Sequence, residues 1–193
     1  MNNKLNVQDL ITTGIFSVIY IIVVFVFGML GYIPIIMIAL PVIVSIVGGI
    51  PFMLFLTRVN KFGMVTLLSL IVGIIMFLSG HTWVPIATFL IFGIIADYIF
   101  KFGNYHSLKN SIIGYAVFCL GVMGNMLPMW IMKDAYGDKL LSSMGAEYTN
   151  IVMSFTQDWI FVVLIILTII SGIIGALLGQ KILKKHFEKA GIV

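Results

Sequence analysis

No charged residue occurs between Leu10 and Thr57, and the first one after this stretch is Arg58. A stretch so long and apolar exceeds what the core of a soluble protein accommodates as a helix. Because about twenty apolar residues cross the hydrocarbon layer of a bilayer, the stretch has room for two membrane spans. The sequence therefore predicts an integral membrane protein.

The composition supports this prediction along the whole chain. Hydrophobic residues make up 61% of it, charged residues 9%, and the mean hydropathy is +1.18. Backbone N–H and C=O groups in a bilayer must pair within their own segment, which favours helices. A β-barrel would show alternating polarity, which these runs lack. We expect one all-α transmembrane domain over residues 1–193, with the lone Cys119 in its core and therefore no disulfide and no cysteine-rich metal site.

Apolar runs bounded by charges, glycines and prolines predict six spans. They lie near residues 10–30, 34–57, 63–80, 83–100, 110–132 and 158–180. The second of these contains Pro41, Gly48, Gly49 and Pro51, so we expect it to be kinked or interrupted.

The basic residues predict the orientation of the chain. An even number of spans puts both termini on the same side, and nine basic residues fall on that side: Lys4, Arg58, Lys61, Lys101, Lys109, Lys181, Lys184, Lys185 and Lys189. The opposite side has Lys133 and Lys139. Basic residues concentrate on the cytoplasmic side of membrane proteins, so both termini should be cytoplasmic, in a bacterial plasma membrane. The net charge of +4 then reflects topology and does not indicate a nucleic-acid partner.

The predicted outer side has two short turns and one long connection. The turns are residues 31–34 and 80–82, and the long connection runs from Lys133 to Gln157. Its polar and apolar residues alternate at roughly helical spacing, which suggests that part of it lies on the bundle as an amphipathic cap. A lid over a ligand site and a plain surface loop are equally consistent with this pattern.

The sequence lacks the residues of a self-sufficient pump or of a hydrolase. None of the seven acidic residues falls at the middle of a predicted span, so no proton-coupled or sodium-coupled core is indicated. No phosphate-binding loop and no hydrolase signature is present. The three histidines are scattered, and we expect no metal site and no cofactor. If the protein moves a solute uphill, the energy must come from another subunit.

Polar and aromatic side chains cluster toward the predicted outer side. The amide of Asn125 needs a partner inside a membrane and should therefore face the bundle interior or a cavity. Flat rings, one buried amide and a histidine make a pocket suited to a small planar polar molecule. The candidate ligand-binding residues are Tyr32, His81, Trp83, Asn125, Trp130, Tyr148, Asp158 and Trp159. An aromatic belt at the interface and an interhelical hydrogen bond of Asn125 are the plain alternatives.

Small residues predict close helix contacts. Ser171, Gly175 and Gly179 repeat every four residues in the last span and share one face, which is typical of tight packing in lipid. The first span has a weaker version of this pattern. The candidate docking residues are Thr13, Gly14, Ser17, Ser171, Gly175 and Gly179. The spacing leaves open whether the contact is internal or with another protein.

Three segments resemble a known family. They are residues 4–17, the turn Gly80-His81-Thr82-Trp83, and Ala96-Asp97-Tyr98-Ile99. They resemble the Trep_Strep (MptD-like) group, which is grouped with the substrate-binding S components of energy-coupling factor (ECF) vitamin transporters. The resemblance extends over the length, the six spans and the cytoplasmic termini.

This resemblance implies a non-enzymatic, six-helix S component that binds a vitamin or precursor near the outer face, with pyridoxine and hydroxymethylpyrimidine favoured. Such a subunit docks on a transmembrane coupling subunit attached to two ATP-hydrolysing subunits, and topples in the membrane to release its substrate. S components present a small-residue face on their first helix to the coupling subunit, and the matching stretch here is Thr13-xxx-Ser17 or Gly14-xxx-Val18. The alternatives are a lipid-modifying membrane enzyme that uses Asp9 and Asp97, a passive channel, and a structural scaffold.

Overall fold

The computed structural model describes residues 4–189, with side chains to residue 185, and 84% of the described residues are helical. The side chains of His186, Glu188 and Lys189 lie outside this description. In the described part the α-helices are α1 (Val7–Gly28), α2 (Pro34–Val47), α3 (Gly49–Leu56), α4 (Met64–Leu78), α5 (Val84–Phe102), α6 (Leu108–Cys119), α7 (Pro128–Ile131), α8 (Lys133–Met144), α9 (Ala146–Met153) and α10 (Asp158–Lys189). Two 3-10 helices, Met29–Tyr32 and Leu120–Asn125, complete the set, and the described residues form no strand.

Helix length and apolarity agree with a membrane-spanning protein. Within residues 4–189, four segments are long and apolar enough to cross a bilayer: Val7–Tyr32, Pro34–Leu56, Val84–Phe102 and Asp158–Lys185. The predicted span 63–80 corresponds to α4, which is apolar but only 15 residues long. The predicted span 110–132 consists of three elements: α6, which ends at Cys119, the 3-10 helix Leu120–Asn125, and α7. The break predicted in the second span is confirmed, because α2 ends at Val47 and α3 begins at Gly49.

Local sequence explains where several helices begin. Asn6 caps α1 in a capping box with Asp9, in which each side chain accepts a hydrogen bond from the other's backbone N–H, at 2.9 and 2.8 Å. Ser107 caps α6 through Asn110 N–H, and prolines occupy the first turns of α2, α5 and α7. Proline is favoured there because its missing N–H would have no helical partner.

Side-chain contacts group the helix ends into two opposite ends of the bundle. At one end, Lys61 pairs with Asp9 at 2.6 Å and Asn110 donates to Ile99 C=O at 2.9 Å. We call this the basic end. At the other end, Trp130 donates through Nε1 to Gln157 C=O at 3.1 Å. This end carries the turns after α1 and α4 together with α7, α8 and α9, and we call it the loop end.

Aromatic rings fill the core between the two ends. Phe52 of α3 lies 4.5 Å from Phe118 and 4.7 Å from Tyr115 of α6, measured between ring centroids. The Tyr115 hydroxyl donates to Ser45 C=O at 2.8 Å, next to the break between α2 and α3. Cys119 is buried in this cluster, as predicted.

A second apolar cluster lies under α8 and α9. Its buried members are Ile38, Met123, Met126, Met129, Leu140, Tyr148, Val152 and Leu164. The predicted amphipathic packing of the long connection is therefore confirmed, since Leu140, Tyr148 and Val152 come from it. Its function as a lid stays a prediction.

Candidate ligand-binding site

A cavity of about 160 Å³ opens at the loop end, between the α4–α5 turn, the start of α7 and one face of α8. We call it the loop-end cavity. Its lining residues are Ser79, Gly80, His81, Thr82, Asn125, Pro128, Tyr136, Lys139, Leu140 and Ser143.

The turn that carries His81 and Thr82 is fixed by the end of α4. Gly80 N–H donates to Phe77 C=O at 3.0 Å, and His81 N–H donates to Met76 C=O at 3.2 Å. These two bonds form a Schellman motif, which needs a left-handed residue after the helix. Gly80 supplies it with φ = +94°, a conformation that costs glycine little. The turn is therefore set by the backbone and places His81 and Thr82 at the cavity.

Close packing of α5 on the 3-10 stretch places Asn125. Thr88 of α5 donates through Oγ1 to Gly121 C=O at 2.9 Å. A Cβ on Gly124 would collide with the Thr88 side chain and come within 3.0 Å of Pro85 Cα. Glycine is therefore required next to Asn125, so that the 3-10 stretch can approach α5 and bring the amide to the cavity.

Two buried oxygen atoms in the cavity lining have no hydrogen-bond partner among the described residues. They are Asn125 Oδ1 and Thr82 Oγ1. Buried polar atoms are almost always hydrogen-bonded, and leaving one unpaired costs about 1–3 kcal/mol. An unpaired amide oxygen calls for an N–H or O–H donor, and the hydroxyl of Thr82 can accept or donate. Residues of the cavity lining therefore carry hydrogen-bonding groups that the described residues do not satisfy.

One face of α8 forms the outer wall of the cavity. Tyr136, Lys139, Leu140 and Ser143 follow the i, i+3, i+4, i+7 spacing of a single helix face. The Lys139 ammonium donates to Gly80 C=O, in the turn across the cavity. This bond joins α8 to the α4–α5 turn. The ligand-binding residues predicted from the sequence include none of this face.

His81 lines the cavity, and the residue is exposed at the surface of the loop end. Burial lowers the pKa of His81 from its ordinary value, and the charge of Lys139 lowers it further. The hydrogen bond between its Nδ1 and Met76 C=O, at 3.1 Å, acts in the opposite direction. Burial also raises the pKa of Tyr136 to about 12, with a contribution from Tyr148. Near neutral pH the imidazole and the phenol are therefore both uncharged.

The structure brings together two of the eight residues predicted for ligand binding, His81 and Asn125. Tyr148 is buried nearby, and its hydroxyl donates to Gly31 C=O. Trp130 packs on Phe161 with 4.9 Å between ring centroids. The remaining four, at the surface of the loop end, are Tyr32, Trp83, Asp158 and Trp159. Ligand contact by these six residues stays a prediction.

Five of the six residues predicted for docking lie inside the bundle. Thr13 and Ser17 are fully buried on α1, and Ser171 is 4% exposed. A Cβ on Gly175 would collide with Ser45 C=O, and one on Gly179 would come within 2.6 Å of Gly49 C=O. The α10 face therefore packs on the break between α2 and α3, so the close helix contact it predicts is internal. Docking of a partner through these five residues stays a prediction that their burial does not favour.

Two acidic residues at the basic end serve as helix caps. Asp97 of α5 is fully buried, and its Oδ2 accepts from Gly63 N–H at 2.8 Å, Thr66 N–H at 3.1 Å and Thr66 Oγ1 at 2.9 Å. Gly63 precedes α4 and has no side chain to cap it. Asp97 therefore performs this role from a neighbouring helix. Asp9 completes the capping box of α1.

An all-helical chain with several apolar helices that could span a bilayer is an integral membrane protein. The model of the Trep_Strep family, described as a hypothetical bacterial integral membrane protein, matches residues 7–189. The chain belongs to this family and lies in a bacterial membrane. Neither a curated protein nor a solved structure matches it significantly.

Proposed function

We propose that this protein is the substrate-binding S component of an ECF-type importer and captures a single-ring vitamin or vitamin precursor in the loop-end cavity. The observation that carries the proposal is the pair of unpartnered buried oxygens, Asn125 Oδ1 and Thr82 Oγ1, in the lining of this cavity. A donor-bearing ligand would satisfy both and remove their desolvation cost.

The size of the cavity favours a small ligand. Pockets for drug-sized molecules range from about 300 to 1,000 Å³, whereas a cavity of about 150 Å³ holds benzene. At about 160 Å³, the loop-end cavity suits one six-membered ring with short substituents. Pyridoxine and hydroxymethylpyrimidine have this form.

The proposal also includes a topology. We count α4 and the broken segment from α6 to α7 as spans alongside the four long ones, which gives six. The concentration of lysine and arginine at the basic end supports a cytoplasmic location for it and for both termini. The loop-end cavity would then open to the outside, where an importer meets its substrate.

The energy for import would come from partner subunits. Asp9 is held in the capping box of α1 and in the ion pair with Lys61, and Asp97 caps α4 through Oδ2, so both carboxylates have structural roles. We infer that the protein docks on a transmembrane coupling subunit linked to two ATPase subunits, and that ATP hydrolysis drives release inside. A membrane enzyme or a passive channel is less well supported by this arrangement.

Isothermal titration of the purified protein tests the proposed binding. Pyridoxine and hydroxymethylpyrimidine are titrated first, followed by larger vitamins such as riboflavin. We expect saturable one-to-one binding of a single-ring ligand. Removing one hydrogen bond in Asn125→Ala should weaken it about three- to tenfold. Asn150→Ala changes an exposed asparagine of α9 and should leave binding unchanged.

Two results would count against the proposal. Retention of no water-soluble vitamin by the wild-type protein would refute substrate capture. Equal binding by wild-type protein and Asn125→Ala, with a ligand that does bind, would place the ligand elsewhere. Co-purification with an ATPase module tests the partners separately.

A further inference from the structure

A second cavity, of about 400 Å³, lies at the basic end between the first half of α1 and the connection from α3 to α4. We call it the basic-end cavity. We propose that it binds the headgroup of one anionic glycerophospholipid, whose acyl chain lies along α1. The proposal is independent of the vitamin site, because the two cavities lie at opposite ends of the bundle.

The charge of the cavity comes from Arg58. Lys61 and Asp9 neutralise each other through their 2.6 Å ion pair. In residues 4–185, the Arg58 guanidinium has neither an ion pair nor a hydrogen bond, although it lines the cavity and is solvent-exposed. Guanidinium groups match the geometry of phosphate and bind it through two parallel hydrogen bonds. Basic pockets between helices at a membrane surface are typical sites for anionic headgroups.

The adjoining face of α1 changes from polar to apolar at the cavity. Gln8 and Thr12 line the cavity, Ile15 lies at its edge, and Ile19 and Ile22 continue the same face toward the loop end. Residues at this i, i+4, i+7, i+11 spacing share one side of a helix. Ile15, Ile19 and Ile22 are 55%, 39% and 56% exposed, so no described part of the chain covers the apolar part.

The length of this face matches one leaflet. Thr12 and Ile22 are ten positions apart, which is about 15 Å at helical rise. Half of a hydrocarbon core about 30 Å thick is the same length. A molecule with a phosphate at Arg58 and a hydrocarbon chain reaching Ile22 therefore has the dimensions of a phospholipid. An acidic protein segment would satisfy Arg58 but would not explain the apolar continuation.

Native mass spectrometry of the purified protein can count bound lipids. Phosphatidylglycerol and phosphatidylcholine with identical acyl chains are added in parallel. We expect one phosphatidylglycerol to bind preferentially, and Arg58→Gln to weaken it about fivefold without changing phosphatidylcholine. Asn60→Asp, which adds a negative charge to the cavity, should have the same effect. Lys133→Gln removes an exposed charge at the loop end and is the matched control.

Three outcomes would overturn the proposal. Equal binding of both lipids by the wild-type protein, or equal phosphatidylglycerol binding by all variants, would indicate surrounding lipid only. Glycerol phosphate, which lacks acyl chains, can be added as a competitor. If it displaced bound phosphatidylglycerol at the same concentration as further phosphatidylglycerol does, the acyl chain would contribute nothing to binding. Loss of a co-purifying protein in Arg58→Gln, with lipid binding unchanged, would assign the cavity to a protein partner.

Discussion

The hydroxyl of Tyr148, in α9, donates a hydrogen bond to the backbone carbonyl of Gly31, in the turn that follows α1. These residues are 117 positions apart in the chain. On the other side of the same segment, Lys139 of α8 donates to Gly80 C=O. The two bonds fasten the segment formed by α8 and α9 to two different turns, and its apolar face covers the second core cluster.

We predict that Tyr148→Phe loosens this segment without unfolding the bundle. The variant keeps the buried ring and removes one hydrogen bond, worth about 1 kcal/mol. Local opening of residues 146–153 should therefore rise about fivefold, which hydrogen–deuterium exchange in detergent can measure. Tyr32→Phe, at a tyrosine that is 68% exposed, is the matched control. Unchanged exchange in Tyr148→Phe would show that the bond does not hold the segment.

The lowered pKa of His81 predicts a loss of stability in acid. An unfolded histidine has a pKa of about 6.5, so below that pH the unfolded chain takes up a proton more readily than the folded one. The contribution of His81 to stability is therefore neutral above about pH 7, and it becomes unfavourable as the pH falls through 6.5. We expect the wild-type melting temperature to fall between pH 7 and pH 5.

The variant His81→Gln isolates this effect. Glutamine does not titrate, so the part of the acid sensitivity that comes from His81 should disappear, and the melting temperature of the variant should fall less between pH 7 and pH 5 than that of the wild-type protein. Thermal unfolding in one detergent at several pH values measures this. A wild-type and a variant profile of identical shape would mean that another group causes the pH dependence.

Sequence patterns predicted the parts of this fold that depend on residues close together in the chain. Glycines and prolines near position 48 indicated the break between α2 and α3, and the polarity of Asn125 in an apolar run indicated a cavity. The small residues of α10 indicated a close contact. These small residues could not identify the helix that α10 contacts. Gly175 packs on the backbone of α2, and a backbone contact requires no particular side chains in the sequence of α2.

Long-range roles were beyond the sequence for a related reason. The cap of α4 comes from Asp97, 34 positions after Gly63, and no local pattern links the two. The cavity wall from α8 was missed because its lining residues combine tyrosine, lysine, leucine and serine, a mixture that also describes an ordinary surface helix. Their shared helical spacing becomes informative once it is known which neighbour α8 covers.

The cap provided by Asp97 predicts strong destabilisation in Asp97→Ala. The change leaves Gly63 N–H and Thr66 N–H without their acceptor at a partly buried position. Hydrogen bonds to a charged group contribute about 1.5–3 kcal/mol each, so we expect the free energy of unfolding to fall by at least about 3 kcal/mol. Asp134→Ala, at an exposed acid in α8, should change it by less than about 0.5 kcal/mol. Equal melting temperatures for the two variants would contradict the role of Asp97 as a cap.

The contact between α10 and the α2–α3 break predicts opposite outcomes for two Gly→Ala substitutions. In Gly175→Ala the new methyl group would meet the backbone of Ser45 and Ile46, which cannot move aside as a flexible side chain can. Overpacking of this kind costs about 1–3 kcal/mol or more. In Gly14→Ala the methyl group meets no atom within 4 Å beyond the neighbouring backbone of α1, and alanine is the better helix former by about 1 kcal/mol. Thermal unfolding in detergent should therefore show a lower melting temperature for Gly175→Ala and an equal or higher one for Gly14→Ala. If Gly175→Ala were as stable as the wild-type protein, the Gly175 face would have to lie outside the bundle, where it would be free to contact another subunit.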